Sequence, residues 1–104
     1  MDPACKNITK VILPAIRASV AEVLYKDHQY RQKEIADKLG VAQVAVSKYL
    51  NGRYSACISQ TKNQILRGRL NGAIVKAITG GGTRSEIDRE IDSLCDRLAN
   101  FKAE

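Results

Sequence analysis

Gln32 to Gly52 reads Gln-Lys-Glu-Ile-Ala-Asp-Lys-Leu-Gly-Val-Ala-Gln-Val-Ala-Val-Ser-Lys-Tyr-Leu-Asn-Gly, and the pattern of this stretch decides the fold. Ile35, Ala36 and Leu39 recur at helical spacing, and Val46 and Leu50 stand one turn apart further on. Gly40 and Val41 lie between the two sets. The spacing predicts two short amphipathic helices joined by a tight turn. Gly40 falls where the chain must reverse, a position that favours a residue tolerant of positive φ. Val41 is expected to plug the gap between the helices, and Asn51-Gly52 to end the second one. Burying Val46 and Leu50 leaves Gln43, Val44, Ser47 and Lys48 on the outer face of that second helix.

The stretch resembles the helix-turn-helix of phage-repressor and Cro-like regulators. Ala36 falls at the small-residue position where the second helix approaches closely, Gly40 at the turn, and Val46 and Leu50 at the buried positions of the recognition helix. The resemblance implies that the second helix enters a DNA major groove, where side chains near its N-terminus reach base edges.

Charge along the chain agrees with a polyanion partner. The net charge is +6. Between Lys38 and Ser85 there is no Asp or Glu, and Lys38, Lys48, Arg53, Lys62, Arg67, Arg69, Lys76 and Arg84 are all basic. From Glu86 onward the balance reverses, with Glu86, Asp88, Glu90, Asp92, Asp96 and Glu104 against Arg89, Arg97 and Lys102. A base-only block that includes the recognition helix fits double-stranded DNA. An anionic membrane would also attract such a block, but the helix-turn-helix pattern favours DNA. No stretch approaches the roughly 18 to 20 apolar residues of a membrane span, and the N-terminal apolar run is broken by Pro14 and Arg17. It does not read as a signal peptide, so the protein is expected in the cytoplasm.

The rest of the chain is also helical in pattern. Ile8, Val11, Ile12, Ala15, Ile16, Val20, Val23 and Leu24 form one apolar face. Either a helix begins near Pro14 or a longer helix kinks there. The unbroken apolar phase favours the longer helix. His28 lies in the connection that follows, where a lone histidine is expected to be solvated. Ile58, Lys62, Ile65, Leu66, Arg69, Leu70, Ala73, Ile74, Ala77 and Ile78 continue a helical phase across Asn71-Gly72. That phase predicts one helix with a bend rather than the hairpin that Asn-Gly otherwise signals. Gly80-Gly81-Gly82 is a joint; no Gly-Lys-Ser/Thr follows it, so it is not a phosphate loop. Thr83 stands three residues before Glu86, a capping-box pattern that starts a last helix over about 84–102. Its apolar positions Ile87, Ile91, Leu94, Leu98 and Phe101 are spaced four, three, four, three, which is a heptad seam. The seam is expected to serve in dimerisation, or to pack on the first helix of the same chain, or both. The expectation is an all-α, five-helix single domain spanning 1–104, with the DNA-reading unit at about 31–52.

Cys5, Cys57 and Cys95 form no local metal motif, and the simplest reading is three reduced cysteines. Outside the helix-turn-helix, the layout resembles a group of predicted archaeal transcriptional regulators. The resemblance rests on Cys5 before an opening helix reading Val-Ile-Leu-Pro-Ala-Ile-Arg-Ala, on the central unit, and on Leu94-Cys95 in a closing helix. Such relatives often carry a further late cysteine at the position that is Leu98 here. Two alternatives stay open: the three thiolates hold an iron–sulfur cluster with one non-protein or open position, or two of the cysteines form a redox disulfide.

Together these features predict a sequence-specific, DNA-binding regulator of transcription that acts as a homodimer. Gln43 is the leading candidate for direct base reading, since its amide can pair both edges of adenine. Ser47 and Lys48 come next, and Val44 suits a thymine methyl. Gln32, Lys33, Arg53 and Tyr54 are placed to hold phosphates, which position without specifying sequence. No cofactor and no small-molecule effector is identifiable, and with one histidine and no nucleotide loop the chain does not read as an enzyme. The alternatives are a cysteine-based sensing regulator and an antitoxin-like interaction module.

Overall fold

The apolar stripe from Ile8 to Leu24 forms one continuous helical run in the computed structural model, which describes residues 7–103. Asn7 starts it, its side-chain oxygen accepting from the Lys10 N–H at 3.0 Å. The first stretch, Ile8–Ile12, is π-helical: Ile12 and Leu13 donate to the carbonyls of Asn7 and Ile8, five residues back. The regular helix α1 follows at Leu13–Asp27 with Pro14 in its first turn, so the amide that proline lacks falls where the π-helical stretch passes into the α-helix. The structure therefore combines the two readings of Pro14. The apolar phase runs through it, and the α-helix proper begins beside it.

Five further α-helices come after α1: α2 (Gln32–Leu39), α3 (Gln43–Leu50), α4 (Ala56–Gly68), α5 (Gly72–Thr79) and α6 (Arg84–Ala103). The described residues thus hold six α-helices, not the five expected, and no strand. The additional break lies in the stretch read as one helix across Asn71-Gly72. Arg69 takes a left-handed conformation (φ 52°) that closes α4, with Leu70 donating to the Ile65 carbonyl at 3.0 Å. Asn71 is buried and its side chain is bonded to α1, so it does not continue the helix. The 3.6-residue phase survives the break because α4 and α5 pack their apolar faces into the same core.

That core is aliphatic. Ile12, Ile16, Val20 and Leu24 meet Ile35 of α2, Val46 of α3, Ile65 of α4, Ile74 and Ile78 of α5, and the inner face of α6. The central element is α1, which touches every other α-helix. At α6 the Thr83 capping box forms as the sequence predicts: Glu86 N–H donates to Thr83 Oγ1 at 3.2 Å, and Thr83 N–H to the Glu86 carboxylate at 3.0 Å. The heptad seam is occupied within the chain. Ile87, Ile91, Leu94 and Leu98 are 2–6% exposed and belong to the common core, with α6 packed on α5, α1 and α2. The seam is intramolecular core, so it is not a free dimerisation surface; the Phe101 side chain lies outside the described residues. No helix among the described residues is long and apolar enough to cross a membrane.

Candidate nucleic-acid interface

The reading unit is built from α2, the Gly40 turn and α3. Arg31 leads into α2 in extended geometry, and its N–H donates to the Glu34 carboxylate at 3.0 Å, which satisfies one amide ahead of the first turn. Ile35, Ala36 and Leu39 face the core. At the other end Gly40 adopts φ 70° and ψ 34°, and the Ala36 carbonyl accepts from Gly40 at 2.8 Å and from Val41 at 3.1 Å. The left-handed turn expected from the glycine is present, and Val41 packs against the core behind it.

Val46, fully buried, anchors α3, and Tyr49 and Leu50 pack beside it. Ala42 at its N-cap offers no side-chain cap. At the far end the Asn51 amide donates to the Ser47 carbonyl at 2.9 Å and to the Ser47 hydroxyl at 3.3 Å, and Gly52 (φ 70°) turns the chain away.

Among the residues expected to read bases, Gln43, Val44 and Lys48 are exposed on the outer side of α3, with Val44 at 63%. Its apolar side chain suits a contact such as a thymine methyl. Ser47 shares the face but is half-buried, with its hydroxyl engaged by Asn51. Of the residues expected to hold phosphates, Lys33 and Arg53 are exposed and Gln32 is half-buried at the start of α2. Tyr54 is half-buried and is not simply a free phosphate donor. Lys62 Nζ lies 5.4 Å from the centroid of its ring.

The base-only block of the sequence does not form a single DNA-facing surface. Lys62 is 13% exposed and pairs with Glu22 of α1 at 3.5 Å. Burial pulls its ammonium down, but Tyr54 and the Glu22 carboxylate more than offset this and hold its pKa above the ordinary lysine value. Arg69 and Lys76 line a cleft of about 560 Å³ together with Val23, Asp27, His28 and Val75. Arg84 binds the backbone of α2. Local sequence carries no signal for the Lys62–Glu22 and Arg84–Asp37 engagements, because each joins residues far apart in the chain.

The cysteines are not gathered into a cluster within the described residues. Cys57 is disulfide-bonded, so the reading of three reduced cysteines does not hold. Cys95 is a free, buried thiol on α6, its pKa pushed up by burial and by the charges of Asp92 and Asp96. Cys5 lies outside the described residues. Among those residues no group of three His, Cys, Asp or Glu side chains is arranged to hold a metal.

Residues 24–62 match the helix-turn-helix family model. The match runs from the end of α1 through α2, the turn and α3 into α4, so it covers the reading unit and the helices that brace it. It supports the phage-repressor and Cro-like character read from Ala36, Gly40, Val46 and Leu50. No curated protein and no solved structure matches the chain.

Proposed function

We propose that this protein is a sequence-specific DNA-binding regulator of transcription that works as a homodimer. The observation that carries the reading is the α3 surface. Gln43, Val44 and Lys48 stand exposed on a short helix whose opposite side is locked by Val46, behind a left-handed glycine turn, inside a segment that matches the helix-turn-helix family. In this reading α3 lies in the major groove. Gln43 pairs an adenine, Val44 meets a thymine methyl, and Ser47 and Lys48 reach neighbouring bases or phosphates. Lys33 and Arg53, with Gln32 at the start of α2, hold the backbone on either side. Bound protein acts by occupancy, blocking or recruiting the transcription machinery in the cytoplasm.

The dimer follows from information content. One recognition helix reads only a few base pairs, too few to select a site in a genome. Two copies about a two-fold axis read a pseudo-palindrome with half-sites about one helical turn apart. Because the α6 seam is core, the two-fold contact uses another surface. Selection of bound duplexes from a random pool tests the reading, followed by footprinting and light scattering of the complex. The expected result is a pseudo-palindrome bound by two chains. Recovery of no sequence preference at physiological salt overturns it.

A further inference from the structure

The turn that aims α3 is held from outside the helix-turn-helix. The last carbonyls of a helix have no amide partner within it. In α2 the Ala36 carbonyl is satisfied by Gly40 and Val41, and the Asp37 carbonyl accepts from Nη2 of Arg84, 47 residues further along the chain. The Arg84 guanidinium also lies directly against Gly40, so that a methyl group there would collide with Nη1 and Cζ. Arg84 is the first residue of α6 and lies beyond the matched segment. Its backbone is well fixed, between the Thr83–Glu86 capping box and Ile87, which is 2% exposed. A cation at this place meets the negative end of the α2 dipole, and the flat guanidinium can donate to the carbonyl while lying against the glycine.

We propose that Arg84 is a positioning residue for DNA recognition. By capping α2 and packing against the Gly40 turn, it fixes the angle at which α3 is presented without itself touching DNA. The proposal rests on the DNA-binding reading above, and it makes α6 part of the recognition apparatus rather than a distant brace.

The test compares the full-length parent chain with Arg84→Ala and Arg84→Lys. Affinity is measured by fluorescence anisotropy for a duplex selected by the parent and for a random-sequence duplex, each over a range of KCl. Circular dichroism at the assay temperature establishes that each variant keeps its helices. A positioning role predicts that Arg84→Ala loses about fivefold on the selected duplex, little on the random one, and keeps the parent's salt slope. Arg84→Lys should recover part of the loss; if Arg84→Ala does not fold, Arg84→Lys carries the same comparison with a smaller drop. A purely stabilising role would lower the melting point and leave the ratio of the two affinities unchanged, which overturns the proposal. Equal weakening on both duplexes, with the salt slope reduced by about one, makes Arg84 a phosphate contact and also overturns it. If the parent itself selects no sequence, the DNA-reading function fails first, and this assignment falls with it.

Discussion

The side-chain amide of Asn71 donates to the hydroxyl of Ser19 at 3.1 Å, inside the core and across 52 residues of chain. The Ser19 hydroxyl in turn donates to the Ile16 carbonyl at 2.8 Å. This short relay fixes the start of α5 against the middle of α1. Removing one member strands the other in an apolar setting. Ser19→Ala and Asn71→Ala should each lower stability by about 1–3 kcal/mol in urea denaturation. The double variant should cost less than the sum, because the pair acts as a unit. Strict additivity would show that the bond contributes nothing.

Gly40 sits in a conformation that resists a side chain. Its φ of 70° is poorly tolerated by a β-branched residue, and the Arg84 guanidinium fills the space beside it. Gly40→Val should destabilise the fold by at least about 1–2 kcal/mol, more than Val44→Thr on the exposed face of α3. A thermal midpoint within about a degree of the parent would contradict the turn's role.

Gln43 and Lys48 should fail in different ways. Gln43→Ala should cost about 1–3 kcal/mol on the selected site and relax choice at one base pair. Lys48→Ala, if its ammonium mainly meets phosphate, should weaken all sequences alike and lower the salt slope by about one. Two variants indistinguishable from the parent on both selected and random DNA would remove α3 from the interface.

Lys62 belongs to the structure rather than to the DNA face. Lys62→Met should leave the salt slope of DNA binding unchanged, since its ammonium is held by Glu22 and lies over Tyr54. Burial lowers the pKa of Lys62, but the Tyr54 hydroxyl and the Glu22 carboxylate together raise it above its ordinary 10.5. Its stabilising contribution is therefore fully present below that value, and is lost only as pH rises through the higher folded value. A parent and a Lys62→Met variant that lose stability identically above pH 10 would refute the pairing.

Leu94 separates core from interface. At 3% exposure it lies in the common cluster, so Leu94→Asp places a carboxylate among aliphatic side chains. The expected outcome is an unfolded chain by circular dichroism, not a folded monomer. A folded monomer from a dimeric parent would return the α6 face to the dimer contact.

The sequence by itself determined the all-helical class, the reading unit and its turn, the outward set Gln43, Val44 and Lys48, and the capped start of α6. Each is a local matter, fixed by the spacing of apolar residues, by the one residue type that tolerates a left-handed turn, and by side chains that bond three positions away. Periodicity gives which face of a helix is buried but not what buries it, so the α6 seam read first as a dimer contact although the chain's own core buries it. It also missed the break between α4 and α5, because both helices turn the same phase inward. The tertiary structure alone decided these points, through contacts between residues distant in the chain. Asn71 reaches Ser19, Lys62 reaches Glu22, and Arg84 reaches the carbonyl of Asp37. Charge followed the same division. The base-only block was visible as composition, but only packing showed which bases remain free to meet a phosphate and which are already bound within the chain.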